Sequence, residues 1–141
     1  MNVEFFVPGN PQGKARPRVV RRKDGRSMTY TPDKTVQYEE LVRQRYIAQS
    51  GGYQFAPDVP LSIIIQAEFL IPKNTSQKRR KEMLEGAILP TKKPDFDNIA
   101  KIICDALNGI AYLDDSQIVL SLVVKRYAQT PGIKVEVGNW R

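Results

Sequence analysis

Two aspartates flank a phenylalanine at Asp95, Phe96 and Asp97, directly before a segment whose apolar residues recur at helical spacing. On an extended segment, residues i and i+2 point to the same side, so both carboxylates could bind one cation. Helix capping is the alternative, because aspartates at helix starts accept backbone N–H bonds and complement the helix dipole. The pair alone leaves both interpretations open.

Two further features could complete a site around this pair. Lys101 follows Asp97 by four residues, which fits either a surface ion pair or a lysine that stabilises charge at a phosphate. Asp114 and Asp115 precede a predicted strand. A solvated turn without a catalytic role is one interpretation of this pair. If that strand pairs near the helix start, one of them would approach the acid pair. Aspartates and a lysine without histidine form a hard oxygen site, which suits Mg²⁺ or Mn²⁺ better than zinc.

The composition narrows the chemistry further. The 141 residues include no histidine and one cysteine, Cys104, which excludes imidazole catalysis and an intrachain disulfide. The single cysteine favours a reducing cytoplasm, and no apolar run approaches the roughly 20 residues of a membrane span. The net charge of +7 favours a polyanionic partner, although a solvated basic surface is the alternative.

The basic residues concentrate in short stretches of the chain. Seven cations lie between residues 14 and 26 against the single Asp24, and a second group lies just before Asp95. We expect these stretches to contact DNA phosphates, with a solvated basic loop as the alternative. The predicted DNA-binding residues are Lys14, Arg16, Arg18, Arg21, Arg22, Lys92 and Lys93.

Periodicity predicts a single α+β domain over residues 1–141, with a mixed or antiparallel sheet packed against two or three helices. Strands are predicted at 2–7, 61–70, 117–127 and 133–137, with a hairpin around Asp24–Gly25. Helices are predicted from Thr31–Pro32–Asp33 to about Gln49, over 77–84 and over 96–108. The first helix should bury Tyr38, Leu41, Val42, Tyr46 and Ile47.

Four segments of the chain closely resemble the core of the RusA family of Holliday junction resolvases. They are Lys93–Asn98, Lys101, Asp105–Asn108 and Leu113–Gln117, within a match over about residues 92–127. The resemblance implies a RusA-like homodimer that binds four-way DNA junctions and nicks two strands symmetrically with Mg²⁺ or Mn²⁺, in DNA recombination and repair. It also implies a bacterial or phage-encoded protein.

The resemblance also assigns roles to individual residues. It implies that Asp95, Asp97 and Asp115 are metal ligands and that Lys101 acts at the phosphate, these four being the catalytic set. Asp114 is a possible further member. Asp105 is expected to be structural.

Two other functions remain open at this point. One is a non-catalytic, basic DNA-binding protein in which the acids are structural. The other is a nuclease that acts on flaps, forks or other branched DNA.

Overall fold

The computed structural model describes residues 1–140, in which four strands form the main sheet and two form a separate hairpin. The strands are β1 (Asn2–Pro8), β2 (Arg18–Arg21), β3 (Ser27–Tyr30), β4 (Leu61–Leu70), β5 (Ile118–Ala128) and β6 (Gly132–Asn139). The helices are α1 (Asp33–Ser50), α2 (Gln77–Glu85) and α3 (Phe96–Leu107). None of the helices in this part of the chain is both long and apolar enough to cross a membrane.

The main sheet has the order β1-β6-β4-β5 and is mixed. β6 pairs antiparallel with both β1 and β4, whereas β5 pairs parallel with β4. A parallel pair needs a long crossover, and the chain between β4 and β5 supplies it with α2 and α3. The predicted α+β class and mixed sheet are confirmed.

The core lies where α1 and α3 cover one face of this sheet. On β4 the alternation predicted from the sequence is confirmed, since Leu61, Ile63 and Ile65 are fully buried and alternate with accessible residues. The predicted apolar stripe of α3 is also buried, including Ile99, Ile102 and Ile103. Burying each such side chain contributes about 1.5–3 kcal/mol, so the stripe fixes α3 firmly on the sheet.

Two details predicted for α1 were wrong, namely its N-cap residue and the burial of Ile47. We expected a capping residue followed by proline in the first turn, but Pro32 itself is the N-cap and no side chain caps the helix. Ile47 was predicted to be buried and is 47% exposed. The buried face instead follows Thr35, Tyr38 and Glu39 and continues to Val42 and Tyr46, which turns Ile47 outward.

The predicted hairpin around Asp24–Gly25 is present as β2 and β3. Every residue from Arg18 to Tyr30 is exposed, and the two strands pair only with each other. We call residues 14–30 the basic arm. From Arg16 onward the arm presents its cations to the surroundings, as a phosphate-binding element would.

Candidate active site

Asp95 and Asp97 lie at the N-terminal end of α3. Asp95 is the N-cap residue, but its side chain accepts no capping hydrogen bond. Asp97 lies in the first helical turn, where one oxygen accepts the backbone N–H of Asn98 at 3.0 Å. Both side chains are exposed, and among residues 1–140 neither forms an ion pair. In a chain with a net charge of +7, this leaves two adjacent carboxylates available for a cation.

Asp114 and Asp115 differ in what their side chains do. Asp114 caps a short 3-10 helix over residues 115–117, accepting the backbone N–H of Ser116 at 3.1 Å. Hydrogen bonding to Ser116 holds the pKa of Asp114 below its usual value. Asp115 is half-buried, and its own backbone N–H donates to Asn108 Oδ1 at 2.9 Å. Asp114 therefore has a structural partner, while the Asp115 carboxylate has no cation partner in the part of the chain described.

The side chain of Gln117 fixes the loop that carries these two acids. Its carbonyl accepts the backbone N–H groups of Leu113 at 3.1 Å and Asp114 at 3.4 Å. Its amide donates to the carbonyl oxygens of Ala56 at 3.0 Å and Val59 at 3.1 Å. Sequence reasoning missed this residue, although an aspartate followed three residues later by glutamine is the signature of a capping box.

Within one chain the structure does not bring Asp115 to Asp95 and Asp97. The hydrogen bond to Asn108 ties the Asp115 backbone to the C-terminal end of α3, and at 1.5 Å per residue Asn108 lies about 16 Å from Asp97 along the helix axis. Accordingly, residues 1–140 contain no group of three or more acidic, cysteine or histidine side chains arranged for a metal ion. The expectation that the strand after Asp115 pairs near the helix start is wrong for the single chain. That strand, β5, begins at the opposite end of α3.

Lys101 and Lys14 both approach the carboxylate of Asp105. Lys101 Nζ lies 3.4 Å from Asp105 Oδ2, so its ion pair is with Asp105 and not with Asp97. Lys14 Nζ lies 3.3 Å from the same oxygen and 2.9 Å from Glu39 Oε2. The Lys101 side chain is 61% exposed, whereas that of Lys14 is 19% exposed. Lys101 can still reach a ligand, and Asp105 has the structural role expected of it.

Lys14 is therefore placed differently from the other cations of the basic arm. Burial alone would lower its pKa, but the hydrogen bonds and negative charges of Glu39 and Asp105 outweigh burial and raise it. The Lys14 backbone N–H also donates to the Asn98 carbonyl at 2.9 Å. A Cβ atom on the neighbouring Gly13 would lie 2.9 Å from Pro94 Cβ, so the arm is attached closely to the start of α3. Lys14 ties the arm to the two helices instead of pointing at a partner.

Two other lysines, Lys92 and Lys125, both make cation–π contacts with the ring of Phe69. Lys92 Nζ lies 6.0 Å from the ring centroid of Phe69 and 5.8 Å from that of Tyr127. Lys125 Nζ lies 5.3 Å from the Phe69 centroid and donates to the Lys92 carbonyl at 2.5 Å. Cation–π contacts of this kind hold an ammonium in place without neutralising it. Lys125 was not predicted, because its position beside Lys92 follows from sheet pairing and not from a local pattern.

Asp95 lines an open groove of about 500 Å³ together with several cations. Its walls include Gln12, Arg16, Lys93 and Asp95. Arg18, Arg21 and Arg22 continue along the exposed arm beyond it. Of the predicted DNA-binding residues other than Lys14, the structure thus brings Arg16 and Lys93 into the same groove as Asp95.

Cys104 lies half-buried on α3 and takes no part in this arrangement. Burial raises the pKa of its thiol to about 11, so the thiol is protonated at neutral pH. A neutral thiol is a poor nucleophile and metal ligand. The chemistry of the site therefore rests on carboxylates and cations.

Free carboxylates can hold a divalent cation that promotes phosphodiester cleavage, and exposed lysines and arginines can bind the phosphates of the substrate. Residues 8–138 match the family described as Endodeoxyribonuclease RusA. The chain is also 34% identical over 137 residues to the uncharacterized protein YqaN of Bacillus subtilis (strain 168), covering 96% of this chain and 94% of YqaN. The chain belongs to the RusA endodeoxyribonuclease family and is thereby assigned to the nucleases.

The buried position of Lys14 predicts a loss of stability when it is replaced. We expect Lys14→Ala to lower the free energy of unfolding by about 2–3 kcal/mol, because Glu39 would remain buried without its cation. Arg16→Ala, two residues along the same arm, should change it by less than about 0.5 kcal/mol. Urea denaturation followed by circular dichroism measures both. Equal effects of the two substitutions would contradict the placement of Lys14.

The four hydrogen bonds of Gln117 predict a second effect on stability. Gln117→Ala should lower the free energy of unfolding by about 1–3 kcal/mol, because two carbonyl groups and two N–H groups lose their partner. Gln37→Ala on the exposed side of α1 is the matched control and should have almost no effect. Thermal unfolding of the two variants compares them directly. A stability for Gln117→Ala equal to that of the control would exclude the anchoring role.

Proposed function

We propose that this protein is a divalent-metal-dependent endonuclease that resolves four-way DNA junctions by paired nicking, as a homodimer, in recombination and repair. Asp95, Asp97 and Asp115 are its metal ligands, with Mg²⁺ as the cofactor and Mn²⁺ as a substitute. Family membership over nearly the whole chain supports the nuclease chemistry. The metal ligands and the homodimer are argued from the positions of the three aspartates.

The observation that carries the proposal is the separation of the acids along α3. Asp95 and Asp97 are free at one end, and Asp115 is held at the other by Asn108. A single chain therefore supplies two incomplete halves of a carboxylate site. Two copies related by a two-fold axis that reverses α3 would join the acid pair of each chain to the partner subunit's Asp115, giving two equivalent sites. A four-way DNA junction with two-fold symmetry is nicked in two strands, and this needs two such sites.

The donor chemistry fits a hard cation. Three carboxylates, none neutralised by a lysine or arginine among residues 1–140, match the oxygen ligands that Mg²⁺ and Mn²⁺ prefer. When bound, such a cation supplies Lewis-acid chemistry, polarising the phosphoryl group and activating water. Lys101, four residues after Asp97 and exposed, would stabilise the negative charge that develops on the phosphate.

The remaining cations would bind and orient the DNA. Arg16 and Lys93 line the groove that also contains Asp95. Lys92 and Lys125 lie over the ring of Phe69, where they would contact the same DNA strand. The exposed arginines of the basic arm would contact phosphates farther from the scissile bond. These contacts carry no sequence information, which suits an enzyme that recognises the shape of a junction.

Cleavage of a synthetic four-way junction tests the activity. With Mg²⁺ the protein should nick two opposing strands, and EDTA should abolish nicking. Asp97→Asn should lower the nicking rate more than about 100-fold while junction binding persists, because only a metal ligand is changed. Asp33→Asn, also an exposed aspartate in the first turn of a helix, should cut normally.

The same assay separates the rival functions. Binding without nicking in Mg²⁺ or Mn²⁺ would support a non-catalytic DNA-binding protein and overturn the proposal. Faster cutting of flaps or forks than of four-way junctions would support a nuclease for other branched DNA.

Mixing two inactive variants tests whether the site is shared between chains. In a heterodimer of Asp97→Asn and Asp115→Asn, one site collects both substitutions and the other collects none. Random exchange of subunits at equal amounts should therefore restore about a quarter of wild-type single-strand nicking. If each site belonged to one chain, both sites would carry a substitution and the mixture would be as inactive as its components.

A further inference from the structure

Four side chains of alternating charge connect α1, the basic arm and α3. Glu39 on α1 lies 2.9 Å from Lys14 Nζ, and Lys14 Nζ lies 3.3 Å from Asp105 Oδ2. The same oxygen of Asp105 lies 3.4 Å from Lys101 Nζ. Among residues 1–140, this is the only carboxylate oxygen that pairs with two cations. The function proposed above uses Lys101 and gives the other three no part in the chemistry.

The two lysines at Asp105 differ in their freedom to move. Lys14 is largely buried, pairs also with Glu39, and is fixed through its backbone N–H to the Asn98 carbonyl. Burial alone would lower the pKa of Lys14, but Glu39 and Asp105 raise it, so the ammonium keeps its charge. Lys101 is exposed, and its one acidic partner in the part of the chain described is Asp105. Lys14 is therefore the fixed cation of this cluster, and Lys101 is the mobile one.

Lys101 lies midway between two carboxylates of α3. Asp97 is four residues before it and Asp105 four residues after it, so each is about one turn away on the same face of the helix. In helices an acid four residues before a lysine pairs with it better than an acid four residues after it, and long side chains lean towards the N-terminus. Local preference thus favours the Asp97 end, whereas the structure pairs Lys101 with Asp105. Asp105 holds the ammonium away from the acid pair.

We propose that Lys14 is a positioning residue for the nuclease reaction, acting through Asp105 to make Lys101 available to the substrate phosphate. Asp105 holds Lys101 between turnovers. When Lys101 turns towards the phosphate, Lys14 stays behind and still neutralises Asp105. Without Lys14, the same movement would leave a largely buried carboxylate with no cation, which is costly. This inference rests on the proposed function for the role of Lys101 at the phosphate.

The shared oxygen of Asp105 also weakens its hold on Lys101. Two ammonium groups beside one oxygen repel each other, so each gains less from the carboxylate than it would alone. An ion pair with an exposed lysine is weak to begin with, and this repulsion makes Lys101 easier to displace. Removing Lys14 should therefore bind Lys101 more tightly to Asp105 and withdraw it from the phosphate.

Chemical labelling of lysine amines on the intact protein tests the cluster without any nuclease activity. An ammonium held in an ion pair reacts more slowly with acetic anhydride, and mass spectrometry gives the rate at each lysine. Lys134 is a matched internal reference: its side chain is 60% exposed and its Nζ lies 3.5 Å from Glu68, against 61% and 3.4 Å for Lys101. Lys14→Gln should slow labelling of Lys101 relative to Lys134 at least about threefold, and Lys14→Arg should preserve the wild-type rate.

Two further variants show whether the effect passes through Asp105. Asp105→Asn should raise the labelling rate of Lys101 above that of wild type, because the ion pair is lost, and adding Lys14→Gln should then change nothing. Arg43→Gln is the matched control. Arg43 also joins α1 to α3, donating to the Ala106 carbonyl at 3.4 Å and not to Asp105, so its loss should leave Lys101 labelling unchanged.

A second variant keeps the test decisive if Lys14→Gln fails to fold. The double variant Lys14→Gln/Glu39→Gln removes the buried cation together with the acid that would be left unpaired. A circular dichroism melt checks that each variant is folded. Unchanged labelling of Lys101 in the folded double variant would overturn the inference, as would a slowing by Lys14→Gln that persists in the Asp105→Asn background.

Single-turnover nicking of a four-way junction connects the cluster to the chemistry. Lys14→Gln should slow nicking of the bound junction at least about threefold, because Lys101 is withheld from the phosphate. The junction Kd should change by less than about twofold, since Lys14 itself does not face the DNA. The slowing should disappear in the Asp105→Asn background.

The two assays separate this inference from the proposed function. Labelling that follows the expected pattern in a wild type that nicks no junction would refute the proposed function alone. Junction nicking by the wild type, with Lys101 labelling or the nicking rate independent of Lys14, would refute this inference alone.

Discussion

The length and rigidity of α3 determine how far apart the acidic residues of the candidate site lie. Twelve residues of helix, fixed to the sheet by a fully buried apolar stripe, hold their ends about 16–18 Å apart. The free acid pair lies at one end, and Asp115 is attached to the other through Asn108. No side-chain movement closes such a gap while the core is intact. Under the proposed function, the chemistry of the site therefore depends on how two molecules meet.

Each end of α3 is held by contacts made largely through backbone. At the start, Gly13 approaches Pro94 closely, and the Lys14 N–H binds the Asn98 carbonyl. At the end, Asn108 accepts the backbone N–H of Asp115, and Gln117 ties the loop that carries Asp115 to the carbonyl oxygens of Ala56 and Val59. Metal and phosphate sites need ligands fixed to within a fraction of an ångström, and rigid attachment of the segments that carry the acids would provide this. The ion pair of Lys14 with Asp105 adds a link from the basic arm to the same helix.

Much of the fold followed from local sequence patterns. The limits of β4, the buried stripe of α3 and the β2–β3 hairpin were predicted because periodicity and turn residues act over a few positions. The place of Asp115 was not, because it depends on the parallel pairing of β4 with β5. Lys14 was taken for a surface cation because Glu39 and Asp105 are distant in sequence. The residue types of the candidate site could be read from the sequence, whereas their distribution between its two halves could not.

Under the proposed function, each catalytic metal site draws carboxylates from two chains. The most direct measurement is the anomalous scattering of Mn²⁺ in crystals of the dimer. The account predicts two manganese peaks per dimer, each between Asp95 and Asp97 of one chain and the partner subunit's Asp115. Manganese held by the acids of a single chain, with Asp115 of both chains remote from it, would contradict the account.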